Sequence, residues 1–409
     1  MGTTCLDREY QPDESTQVMK YISAHYVFTS TAPPLKRAVI CVEDDGTIIR
    51  VEDTGGNLPE KESLAFYNGI IVPGFVNCHC HLELSWMRNK IPAGEGLSNF
   101  LMAVTRLRAI PDKDLHLSID NADYEMFIKG IILCADICNS SSTFDLKKTS
   151  RIKYVNLLEV FGTDLSKAKK RMDEIKQIAK KASEENLSWW IVPHSAYSIS
   201  MPLFRLIKNE TRSNKVTSIH FMESPDEKAF LANHSGPLMD WYEKFLPPHS
   251  QLDTPGDHLS AVMDEVTEHG NLILVHNTHI DRDMVRKLRS RKNLYYCLCP
   301  NSNKFISNTL PPAALLSEEG CSIVVGTDSL SSNYTLSILD ELKTLQENLP
   351  SVSLDNLIRW ATINGARALC EDSWAGSIEP GKKPGLILIE NLDLADMRLI
   401  SSSKVRRIL

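Results

Sequence analysis

Four side chains that suit one metal ion recur along this chain, each at the end of an apolar run. His79 and His81 stand two apart in IIVPGFVNCHCHLELSW. On an extended segment, residues two apart share a face, so both imidazoles point the same way. His220 closes the run KVTSIH, and Asp328 follows VVGT. Three imidazoles and one carboxylate suit zinc, iron or a similar divalent cation, which would activate water for hydrolysis. An HxH pair alone fits equally well with imidazoles that hydrogen-bond at a strand end. The metal reading rests on the four positions falling on one face of a common fold.

Proton-transfer groups accompany them. Glu223 lies three residues after His220. If the chain turns there, its carboxylate faces a substrate instead of the metal. It could then protonate a ring nitrogen and later assist departing ammonia. Asp328 could hold the metal and also take the water's proton. His276, directly after LILV, could orient the water and stabilise a tetrahedral intermediate; His279 is the competing imidazole. Together these supply a nucleophile, a proton route and charge stabilisation. A surface salt bridge is the bland alternative for Glu223.

Such residues need a scaffold that brings them to one place. From about 69 to 369, strand-like and helix-like segments alternate, with strand starts near 72, 132, 154, 190, 217, 273, 295 and 323. The alternation predicts an α/β fold, a (β/α)8 barrel whose strand ends converge on one active-site face. An open doubly wound sheet would also fit the alternation, but no GxGxxG signal accompanies it. Residues 1–68 and 370–409 hold short apolar runs separated by turn signals such as Asp45–Gly46. They predict the two halves of a small β-sandwich domain around the barrel. The segment 225–257 is an excursion between strands, either a lid or pocket wall or an ordinary surface loop.

Composition narrows the partners. The 409 residues include 45 basic and 52 acidic ones, a net charge of -7 that does not suggest a nucleic-acid surface. The cluster Lys167, Lys169, Lys170 and Arg171 reads as the wet face of a helix over about 166–185. The chain has ten cysteines, but Cys78/Cys80 and Cys297/Cys299 lack the spacing of a zinc knuckle. They read as small buried hydrophobes in a reducing compartment. The start MGTTCLDREYQPDE has no apolar signal core, and no apolar run reaches the roughly 18–20 residues that span a bilayer. A cytoplasmic setting without membrane or nucleic-acid partners is expected. Homodimerisation is a prior for barrel enzymes and is not written in any sequence period.

Ordered motifs sharpen this reading. PGFVNCHCHLELS resembles the first-strand motif of the amidohydrolase superfamily, HFME its fifth-strand His and Glu, LVHNTH its sixth-strand segment and VGTDS its eighth. The chain is similar to the mononuclear-metal branch of amino-heterocycle deaminases and related chlorohydrolases over nearly its whole length. By that resemblance His79, His81, His220 and Asp328 hold one divalent metal, zinc ahead of iron. Glu223, His276 and Asp328 carry the proton transfers and substrate activation. Binuclear relatives commonly place a carboxylated Lys after the fourth strand. LLEVFGTD offers none, which favours a single metal, and Glu159 in that run stands as either a structural residue or a replacement.

Substrate residues follow from the same resemblance. Many deaminases of this branch have Gln where this chain has Glu83, and HLELS resembles the group acting on aminodeoxyfutalosine. Glu83 would accept a ring or sugar hydrogen bond, or else stabilise the first loop. His194 and Tyr197 of VPHSAYSIS would contact the heterocycle and shape its pocket, with core packing the alternative for Tyr197. Asn301, Ser302 and Asn303 of CPNSNKF would position the entrance loop or bind substrate. The implied reaction converts an amino-purine or purine-nucleoside-like heterocycle to its oxo product and ammonia. Chlorohydrolysis, another amidohydrolysis, or heterocycle binding without turnover are the alternatives.

Overall fold

The computed structural model describes residues 19–108, 114–245 and 252–409. The N-terminal run read for a signal core falls outside them, as do 246–251 of the excursion. Five strands come first: β1 (Lys20–Val27), β2 (Leu35–Lys36), β3 (Val39–Val42), β4 (Ile48–Glu52) and β5 (Leu64–Pro73). Eight follow at the expected intervals: β6 (Phe75–Cys80), β7 (Ile131–Cys138), β8 (Lys153–Val160), β9 (Trp189–Pro193), β10 (Val216–Phe221), β11 (Asn271–His276), β12 (Leu294–Leu298) and β13 (Ser322–Val325). The last two are β14 (Leu386–Asp393) and β15 (Arg398–Arg407).

The eight central strands pair in parallel as β6-β7-β8-β9 and β10-β11-β12-β13. Strands β6, β7 and β10 are buried along their full length, because parallel strands are covered on both faces. That burial is why they read as apolar runs and not as alternation. Two isolated bridges close the ring, Ser195 with His220 and Cys80 with Asp328. Both seams therefore involve a candidate metal ligand. One apolar cluster takes a side chain from every barrel strand: Val76, Leu133, Val155, Val192, Val216, Ile273, Cys297 and Val324. Only a packed barrel interior lets eight strands contribute to one cluster.

Helices cover the outside. Ala168–Glu184 buries Ala168, Met172, Ile175, Ala179 and Ala182, a stripe at steps of three and four. Its Lys169, Lys170 and Arg171 face solvent, as the charge pattern predicts. The two chain ends meet in a single mixed sheet, ordered β15-β14-β5-β1-β3-β4 with β2 beside β1. Val72 of β5 pairs with Ile387 of β14, which ties residues over 300 apart in sequence. The chain leaves this sheet for the barrel at Gly74. A side chain there would meet Ile132 Cγ2 at 2.4 Å and the Pro384 carbonyl oxygen at 2.9 Å, so the passage requires glycine. Among the described residues, nine cysteines are unpaired and seven of those are buried. None of the described helices is long and apolar enough to cross a membrane.

Candidate metal centre and active site

The C-terminal ends of the barrel strands gather the four expected ligands. His79 Nε2 and His81 Nε2 lie 3.2 Å apart. Asp328 Oδ1 is 3.7 Å from the first and 3.5 Å from the second. His220, at the end of β10, has a ligating nitrogen within 4.8 Å of those of His79 and His81. Ligands about 2.1 Å from a tetrahedral cation stand roughly 3.4 Å from one another. The observed spacings bracket that value, so this donor set fits a divalent metal. Burial, the main cause in each case, holds His79 well below its ordinary pKa and His81 down at about 3. Both imidazoles are thus neutral at neutral pH, the form that binds metal.

Neighbours fix the ligands. His220 Nδ1 donates to the His194 carbonyl oxygen at 2.9 Å, which leaves Nε2 for the cation. Asp328 Oδ2 accepts from Ser302 Oγ at 2.6 Å and Ser332 Oγ at 2.8 Å. Burial pushes the Asp328 carboxyl up, but His81 and His276 together with those two hydroxyls hold it below its ordinary value. Ser302→Ala should therefore lower metal affinity about 10–100-fold with the fold intact, read by competition against a chelating dye. Asp328 (φ 56°) and His276 (φ 75°) both adopt left-handed backbone. Strain of that kind concentrates at functional sites, where the chain reverses while aiming a side chain inward. Gly326 makes the approach possible, since a Cβ there would sit 2.7 Å from His79 Cβ.

Glu223 and His276 form the second half of the site. Glu223 Oε1 lies 3.6 Å from His276 Nε2, and both side chains are almost wholly buried. Burial first, then the charges of Asp328 and Glu227, push the Glu223 carboxyl well above its ordinary value. A carboxyl so placed can carry a proton at neutral pH. Burial holds His276 down at about 4. Asn303 Nδ2 donates to His276 Nδ1 at 3.2 Å, which leaves the proton on Nε2. His279 is only half buried by comparison and does not line the cavity. The helix Pro225–Asn233 starts directly behind Glu223 with a capping box formed by Ser224 and Glu227.

These groups open into a cavity of about 810 Å³, part of it shared with solvent. His194 and Tyr197 line it, His194 held by Ser195 and Ser198 hydroxyls at 2.9 and 2.7 Å. Glu83, Asn301, Ser302 and Asn303 do not line it. Glu83 accepts from Arg108 at 3.2 Å, from the Ser140 hydroxyl at 3.0 Å and from the backbone of Asn139 and Ser140. It ties the first and second strand-end loops together. Asn301 bonds to Glu341 and Thr344, behind the loop, while Ser302 and Asn303 hold Asp328 and His276. Sequence reasoning missed several wall residues, among them Leu97, Phe100, Arg108, Phe161 and Trp241. Trp241 comes from the 225–257 excursion, which thus contributes one side chain to the pocket wall. Asp136 was also missed: it accepts from Leu82 N at 2.7 Å and pairs with the fully buried Lys147, which fixes the chain just after His81. A charged residue inside the buried run IILCADIC was the available signal.

A sequence profile of the amidohydrolase family matches residues 70–406. The chain belongs to this family. Among curated relatives, this amidohydrolase is 28% identical to an adenosine deaminase of Helicobacter pylori over 337 residues, 80% of each chain. It is 28% identical to an aminodeoxyfutalosine deaminase of Nitratiruptor over 360 residues, 84% of this chain and 85% of the relative. Among solved structures it resembles Helicobacter pylori aminofutalosine deaminase in complex with methylthio-coformycin. That match has a TM-score of 0.74 and 25% identity, and covers 91% of this chain and 93% of the other.

Proposed function

We propose that this amidohydrolase is a hydrolytic deaminase of an amino-purine or purine nucleoside, working with one divalent metal, zinc ahead of iron. The observation that carries the reading is the buried pair Glu223–His276 facing the same cavity as the three-histidine cluster. Relatives named as adenosine and aminodeoxyfutalosine deaminases support the substrate class.

His79, His81, His220 and Asp328 would hold the metal, which when bound makes water nucleophilic at neutral pH. In the net reaction, water's oxygen joins the amino-bearing ring carbon and a proton goes to the adjacent ring nitrogen. Ammonia then leaves and a carbonyl remains. Glu223, whose burial favours its protonated form, gives a proton to that ring nitrogen. Asp328 takes a proton from the attacking water, and Glu223 helps return one to the departing amine. His276, protonated on Nε2, donates to the oxygen as negative charge develops there. His194 and Tyr197 would flank the heterocycle. Glu83, Ser302 and Asn303 act through the residues they position. The expected partner is a small heterocycle, with no nucleic acid or membrane involved.

The test is ammonia release from a panel of amino-purines and their nucleosides by metal-reconstituted protein, with 6-chloropurine riboside alongside. Ammonia from the amino compounds at rates far above the apoprotein supports the reading. Chloride release without ammonia release would replace it with chlorohydrolysis.

A further inference from the structure

One buried acceptor in the cavity has no donor among the described residues. Glu159 stands near the end of β8, with its side chain almost completely buried. Its Oε2 accepts from Asn139 Nδ2 at 2.9 Å. Among the described residues its Oε1 has no hydrogen-bond partner, and the residue lines the cavity. His220 Nδ1 lies 3.5 Å away, but that nitrogen is already committed to the His194 carbonyl oxygen. Buried carboxylate oxygens are costly to leave unpaired and are normally satisfied. A ligand in the cavity can supply that donor.

The position of Glu159 says what kind of donor this is. The imidazole of His220 separates it from the metal-facing Nε2. A heterocycle with its reacting carbon at the metal ligands thus offers Glu159 whatever it carries on its far side. On a purine, that is the sugar. Vicinal hydroxyls are donors, and a carboxylate can accept from both. The walls beyond are apolar, with Leu97, Phe100 and Trp241, and Arg108 is already paired with Glu83. That lining suits an uncharged sugar substituent and disfavours a phosphate.

We propose that Glu159 accepts the hydrogen bonds of the substrate's vicinal sugar hydroxyls and so selects an uncharged purine nucleoside over the free base. The inference rests on the deaminase reading above. Adenosine and 2′,3′-dideoxyadenosine are compared on wild type and Glu159→Gln (E159Q), each loaded with zinc, with metal per chain measured by atomic emission. Wild type should favour adenosine in kcat/KM by about 10–100-fold, the scale of hydrogen bonds to a charged group. E159Q should lose most of that preference, mainly through KM, with the dideoxy substrate and the metal content unchanged. Equal kcat/KM for the two nucleosides in wild type overturns the proposal without any variant. So does an equal loss on both substrates in E159Q, which would mean that Glu159 merely positions His220. Glu159, His194 and His220 also lie within 4.8 Å of one another. Two metals per chain falling to one in E159Q would make Glu159 a ligand instead. If no substrate releases ammonia, the deaminase reading fails, and calorimetric affinities still decide the role of Glu159. Tighter binding of adenosine that is lost in E159Q upholds it, and equal affinities overturn it.

Discussion

Glu223→Gln (E223Q) should lower kcat by about 10²–10⁴-fold, the range typical of a lost general acid–base, with metal content unchanged. The substitution keeps the size of an almost wholly buried side chain and removes only the transferable proton. Glu223 Oε1 faces His276 Nε2 at 3.6 Å and belongs to no ligand set, so its loss leaves the cation's own donors in place. Atomic emission and steady-state rates on the same preparation check both halves. Near-wild-type kcat in E223Q would remove Glu223 from the proton route, and loss of metal would make it a ligand.

Asp328→Ala (D328A) should lose both metal and turnover. Among the described residues, this carboxylate is the only one that forms an ion-pair contact with His79 and His81, at 3.7 and 3.5 Å. Removing it also strands the Ser302 and Ser332 hydroxyls that it accepts. A bound cation contributes several kcal/mol to the transition state, so the rate should fall by about 10³-fold or more. Binding also stabilises the fold through mass action, by about 4 kcal/mol when metal is at a thousand times its Kd. Wild type should therefore gain Tm when metal is added to the chelator-treated protein, and D328A should not. A D328A protein with one tightly held metal and wild-type Tm gain would contradict the ligand assignment. Excess zinc should not rescue its activity.

Much of the fold was legible because barrel strands leave a strong trace. Strands buried on both faces, such as β7 and β10, give apolar runs, and the polar residues that end them fall on one barrel face. His276 stands directly after LILV, and it differs from His279 in burial and in access to the cavity. The second layer was much less legible. Glu83 looks like a substrate residue in HLELS, yet its partners lie 25, 56 and 57 positions away. Asn77 and Thr327 meet across the barrel seam from 250 positions apart. Such pairings are made by barrel closure, and no local period announces them. From the sequence, Ser302 and Asn303 fit either positioning the entrance loop or binding substrate, and their side chains hydrogen-bond to Asp328 and His276. The wall residue Trp241 comes from the excursion, whose spacing has no regular pattern.

The most direct test of the central claim is the stoichiometry of ammonia to oxo product when the metal-loaded wild type acts on an amino-purine nucleoside, with E223Q run beside it. One ammonia per product formed, with turnover collapsing in the variant although its metal remains, is the predicted result. No ammonia from any amino-purine despite one metal per chain would contradict it.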